Sequence, residues 1–172
     1  KLFSSPAVVP DVDSPPALDP NAPTAILFVG KNRGVGMHAL LWVQRLFPDH
    51  FKNFVFLSIG EVDAQSYDGK GALRTLQYTL ENSLRYYVNF CHNHGLAATS
   101  YIGFGTDPVE ELSKLTEKVT REFPNSVCFA SKLIFVHDNL FTRWLHNETA
   151  LSMQQRLHLK GMQMVVLPMR VA

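Results

Sequence analysis

Charge is scarce in this chain, and so are cysteine and long apolar runs. Charged residues make up 18% of the 172 residues and the net charge is +1. Neither a basic face for nucleic acid nor a cationic face for an acidic lipid surface is on offer, so nucleic acid is excluded as an expected partner. The two cysteines, Cys91 and Cys128, fall inside an expected helix and an expected strand, which fits buried free thiols rather than a disulfide frame. No stretch approaches the roughly 20 apolar residues that a membrane helix needs, and no signal peptide is visible.

Motifs of catalysis are missing as well. The chain has no G-x-G-x-x-G, no phosphate loop ending in Lys-Ser or Lys-Thr, and no G-x-S-x-G. Cys91, His92 and His94 stand together at one helix end without the second cluster a four-ligand zinc site would need. His38, His50, His137 and His158 stand as isolated surface or packing residues. The expectation is a protein that is not an enzyme and holds no metal.

What the chain does have is apolar content: 46% of its residues, with twelve phenylalanines, enough for a sizeable core. Residues 1–23 carry Pro6, Pro10, Pro15, Pro16, Pro20 and Pro23, and their few apolar residues show no period. Proline fixes φ and removes donors, so this stretch is expected to be an extended tether. The chain opens on Lys1 rather than Met, and the expectation is a piece of a longer polypeptide.

From Thr24 strands and helices alternate. Thr24–Val29 is an apolar run suited to a strand covered on both faces. Met37–Phe47 has helical spacing, with Met37, Leu40, Leu41, Val43, Leu46 and Phe47 as its apolar stripe. Residues 54–59 form a second buried strand. Lys70–His94 is a long helix with Leu73, Leu76, Leu80, Leu84, Val88 and Cys91 on one stripe, closed by Gly95. Thr99–Phe104 follows as a strand. Asp107, Pro108 and Glu110 mark a helix start through cap, first-turn proline and capping box. Residues 127–130 make the fourth strand. Asn147 is expected to cap a last helix through Lys160, stopped by Gly161, and residues 164–169 make the fifth strand. Pro168 places that strand at a sheet edge. Such alternation specifies an α/β three-layer sandwich with a five-stranded parallel sheet.

Ligands of such sheets bind beyond the carboxyl ends of the strands. Two segments there carry candidate chemistry. After the first strand come Gly30, Lys31, Asn32, Arg33, Gly34, Val35 and Gly36. Free N–H groups and the helix dipole would meet an anion here, with Lys31 and Arg33 adding charge; alternatively the glycines only make the turn and close the strand–helix packing. After the fourth strand come Ser131 and Lys132, with Asn147 and Thr149 at the start of the last helix. Glu148 stands in that first turn, where it satisfies the dipole itself and repels a triphosphate. Glu61 and Asp63 after the second strand could read a ribose or a cation, or simply be solvated. Leu133–Leu145, unusually apolar for a loop, suits either packing on the sandwich or a partner surface.

The order of elements resembles the universal stress protein fold (adenine nucleotide alpha hydrolase-like), over residues 24–172. The strings Gly34-Val35-Gly36-Met37-His38, Phe47-Pro48-Asp49-His50-Phe51-Lys52-Asn53-Phe54, Gly105-Thr106-Asp107-Pro108-Val109-Glu110-Glu111 and Leu145-His146-Asn147-Glu148-Thr149-Ala150 are similar to the C-terminal region of bacterial amino-acid permease-like transporters. These belong to the amino acid–polyamine–organocation superfamily. The resemblance implies a regulatory domain at the cytoplasmic face of the plasma membrane, whose partner is the membrane domain of the same polypeptide upstream of Lys1. It also implies homodimerisation through the 164–171 edge strand. The family's ATP site carries over poorly. Its Asp after strand one is replaced near Gly30-Lys31, and its glycine-rich run after strand four is absent. No cofactor is therefore expected, with a nucleotide or other anion at residues 30–36 as the alternative.

Overall fold

The computed structural model describes residues 14–62, 69–131 and 146–167, with the side chains of residues 69–70 and 146–150 outside that description. The elements are β1 (Thr24–Phe28), α1 (Arg33–Leu46), β2 (Asn53–Glu61), α2 (Gly69–Asn93), β3 (Ala97–Gly105), α3 (Pro108–Glu122), β4 (Ser126–Ser131), α4 (His146–Leu159) and β5 (Met164–Leu167). The five strands form one sheet in the order β3-β2-β1-β4-β5, and every pairing is parallel.

The strand alternation sorts two cores. Ala25, Leu27, Phe54, Phe56 and Phe129 face one side, where α1 and α2 bring Leu40, Val43, Leu84, Tyr87 and Cys91. Ile26, Phe28, Val55, Leu57 and Cys128 face the other, where α3 and α4 bring Leu112, Val119, Phe123, Met153 and Leu157. Helices on both faces, paired in chain order, are what right-handed crossovers produce when the chain first walks from β1 to β3 and then returns to β4 and β5. Both thiols are free and buried.

Helix ends follow local chemistry. Asp107 accepts from Val109 and Glu110 N–H at 3.1 Å each, with Pro108 opening α3. The carboxylate of Glu110 reaches forward to Lys114 at 3.0 Å, which gives it a partner along the helix. Gly95 and Gly161 end α2 and α4 with φ of +71° and +77°, where a side chain would be strained.

Four expectations need correction. α1 begins at Arg33, four residues before Met37, because Asn32 caps it: its side chain accepts from Val35 N–H at 3.2 Å. Leu41, Leu46 and Phe47 are exposed, and the buried face of α1 is Gly36, Ala39, Leu40 and Val43. Leu73 is also exposed, because the first turns of α2 run beyond the sheet. Asn147 is the second residue of α4, which starts at His146, so Asn147 does not cap it.

The proline-rich segment ends in ordered contacts. Leu18 packs on the α3–α4 core. Asn53, 1% exposed, donates to the carbonyl of Asp19 at 2.7 Å and to Thr24 Oγ1 at 2.8 Å, and accepts from Asp19 N–H at 3.2 Å. Residues 1–13, Pro168 and the rest of the 168–172 end lie outside the described residues.

Candidate functional site

The switch point of the sheet lies between β1 and β4, the pair at which the strand order turns back. Phe28 pairs with Ala130 in the last register step of that ladder, so Gly30, Lys31 and Asn32 leave β1 beside the end of β4. Ser131, 2% exposed, closes β4 opposite Leu167.

The segment 30–36 is a short turn plus the first turn of α1, not a wide loop. Lys31, Asn32, Arg33 and Gly34 are exposed and Gly36 is buried. Three contacts occupy this helix start. Asn32 Oδ1 takes the Val35 N–H. The Arg33 guanidinium lies 5.2 Å from the centre of the Tyr86 ring on α2, a cation–π contact. The Tyr87 hydroxyl donates to the Arg33 carbonyl at 3.2 Å.

Tyr87 is the residue the sequence did not single out. It is fully buried, its ring stacks on Phe56 at 5.1 Å and 16°, and its hydroxyl comes up beneath the start of α1. Burial pushes its pKa up to about 12, with Tyr86 adding to the rise and Arg33 opposing it. Gly36 makes room for that hydroxyl, since a Cβ there would overlap it. Of the two ways to read the glycines, close packing accounts for Gly36. The N–H groups of Arg33 and Gly34 precede the first intrahelical bonds and have no partner among the described residues, next in sequence to the exposed Lys31.

The other half of the predicted site is placed only in part. Asn147, Glu148 and Thr149 fall in the first turn of α4, and their side chains lie outside the described residues, as do Lys132, Asp63 and Leu133–Leu145. Glu61 ends β2, exposed, at the edge of the same strand ends. Among the described residues no group of three His, Cys, Asp or Glu side chains could hold a metal ion, and no described helix is long and apolar enough to cross a membrane. Clefts do form elsewhere. A groove of about 430 Å³ runs between α2 and β3, lined by Glu81, Arg85 and His92 among others. A second of about 450 Å³ lies between α3 and α4, around Lys114, Arg156 and Lys160.

No protein-family model matches the chain, and no curated protein does. Among solved structures, a protein from the universal stress protein family of Burkholderia pseudomallei is similar, with a TM-score of 0.59 and 14% identity. The alignment covers 85% of this chain and 96% of that one. The fold is universal-stress-protein-like. At this identity the likeness carries the architecture alone, so the chemistry has to be argued from the side chains above.

Proposed function

We propose that this chain is a non-enzymatic regulatory domain of a membrane amino-acid or cation transporter, held at the cytoplasmic face of the plasma membrane. It acts by docking on the membrane part of the same polypeptide or on its own twin. The observation that carries the non-catalytic part is the partly occupied start of α1. Asn32 fills its cap, Arg33 rests on Tyr86, and Tyr87 holds it from below. A phosphate cradle keeps the third N–H and the neighbouring guanidinium free as well. The transporter context is supported by the four polar strings similar to permease C-terminal regions, among them Gly105–Glu111, which carries the Asp107 cap of α3. For the twin, the resemblance points to residues 164–171, where β5 is an edge and Val165 is exposed; the longer β3 edge competes with it for that role. The polypeptide upstream of Lys1 tests the context directly: a bundle of membrane-spanning helices there supports it, and their absence sinks it.

One observation favours a second reading, an anion or nucleotide sensor. Lys31 stands exposed beside two uncapped N–H groups at a helix N-terminus. Thermal unfolding against millimolar phosphate and a nucleotide panel separates the two. A ligand present at about 100 times its Kd adds about 2.7 kcal/mol to folding, and Lys31→Ala with Arg33→Ala would abolish that gain. No shift with any ligand leaves the docking domain.

A further inference from the structure

We infer that the edge of β3, which no described strand pairs, is a homodimerisation surface. It pairs antiparallel with β3 of a second copy about a two-fold axis at Ile102, with Glu81 and Arg85 of each α2 meeting their opposites across the axis.

The edge itself comes first. β3 is nine residues long, Ala-Ala-Thr-Ser-Tyr-Ile-Gly-Phe-Gly, with neither charge nor proline in it. Edge strands are normally guarded by such residues or kept short. Direction of the main-chain groups follows from the ladder. The carbonyl of Gly105 takes the Val62 N–H from the β2 side, so the odd-numbered residues of β3 bond inward and the even ones point outward. The Ala98 carbonyl fits this assignment, because it is met by His92 Nε2 at 3.2 Å from α2 rather than by β2. That leaves the outward groups of Ser100, Ile102 and Phe104 with no hydrogen-bond partner among the described residues.

The cap on Ala98 selects the register. An antiparallel twin that avoids Ala98 pairs Ile102 with its own copy and Ser100 with Phe104 of the other, for about six main-chain bonds. The two-fold axis then stands at Ile102.

Level along α2 decides the charges. α2 runs antiparallel to β3, and His92 is level with Ala98 through their contact. From Ala98 to Ile102 the strand climbs about 13 Å, which spans about nine helical residues and reaches the level of Ser83. Leu80 and Phe104, which close together over Gly60, sit at the levels the same rule gives them. Ser83 is midway between Glu81 and Arg85, both of which line the α2–β3 groove. An axis at that level sets Glu81 opposite the Arg85 of the second copy, twice. Arg85 is exposed and has no hydrogen bond or ion pair among the described residues; Glu81 holds only Gln77 at 2.8 Å. Spacing agrees as well. α2 covers the β2–β3 pair, so two copies joined at a strand spacing hold their α2 axes about 10 Å apart, within the packing range of neighbouring helices.

Sedimentation equilibrium on this chain tests the inference. The parent should be a dimer. Glu81→Arg and Arg85→Glu should each weaken it by about tenfold or more, since both interfacial pairs become repulsive. The double reversal should restore the parent constant to within about threefold. Ser100→Pro removes an outward N–H and leaves the β2 ladder intact, so it should give a monomer with unchanged circular dichroism. A single-chain mass at the highest concentration reached overturns the inference. So does a dimer indifferent to the charge reversals, or one lost on Val165→Lys at β5 while surviving Glu81→Arg.

Discussion

Gly36 of α1 sits directly over the phenol oxygen of Tyr87, with no room between them for a methyl group. Tyr87 cannot retreat, because its ring is stacked on Phe56 of β2. Sheet, α2 and the start of α1 are therefore locked in a stack in which the glycine is the thinnest layer. Gly36→Ala should destabilise the protein by about 2 kcal/mol, read as a lower urea midpoint at unchanged slope. Gly34→Ala is the control. Its Cβ would meet only Asn32 Oδ1 at 3.3 Å, a contact relieved by a shift of a few tenths of an ångström that keeps the cap, so its effect should stay within about 0.5 kcal/mol. Helix propensity alone would make both substitutions mildly stabilising, so equal losses at the two positions would show that the Tyr87 contact is not what sets the cost.

Asn53 performs a second kind of locking. Its buried amide serves the half-buried Asp19 main chain in both directions and Thr24 besides. Asn53→Ala leaves the Asp19 groups unpaired and should cost about 2 kcal/mol. It should also raise amide exchange at Asp19 relative to the rest of the sheet. Unchanged exchange there would mean that Leu18, packed on the α3–α4 core, is the real anchor.

The architecture was legible because the strands are buried on both faces and read as unbroken apolar runs, and because Gly95, Asp107 and Pro108 punctuate the helices with local chemistry. The start of α1 was not. Its only cap signal is a single Asn32 inside a Gly-rich string, which reads equally well as a loop. The role of Gly36 was hidden for a different reason: its partner Tyr87 is 51 residues away and belongs to a helix whose stripe looked purely aliphatic. The exposure of Leu73 depends on where the sheet ends, and that of Leu41 on which face of α1 meets the sheet, neither of which periodicity reports. At the candidate site Lys31 and Arg33 stand where β1 turns into α1, and a tertiary contact that periodicity cannot report sets Arg33 on Tyr86.

The helix caps give a third test. Asp107 accepts two first-turn N–H groups and Asn32 accepts one. Asp107→Ala should cost about 1–2 kcal/mol and Asn32→Ala about 1 kcal/mol, each measured by chemical denaturation. Asn32→Asp keeps the acceptor and adds a favourable charge at the helix N-terminus, so it should recover the loss. If it does not, Asn32 is contributing through something other than its cap.

Alkaline pH should unfold this protein in a way set by its buried acids. Burial pushes Cys91, Cys128 and Tyr87 up to about 12. Tyr101 also reaches about 12, through burial and then its bond to Glu122; its hydroxyl donates to that carboxylate at 2.7 Å. In the unfolded chain these groups ionise near 9.0 for thiols and 10.0 for phenols. Above pH 9 the unfolded state therefore binds fewer protons than the folded one. Their contribution is full below that pH and is lost as pH rises from 9 towards 12, by up to about 1.4 kcal/mol per pH unit for each of Cys91, Cys128 and Tyr87, and by less for Tyr101, whose bond to Glu122 is exposed to solvent. Urea midpoints should hold level from pH 7 to 8.5 and drop by pH 10.5. Cys128→Ala should lower the starting stability, since it opens a cavity, and make the alkaline slope shallower. A midpoint that stays level to pH 10.5, or a slope unchanged in that variant, would show that these thiols and phenols meet water in the folded protein.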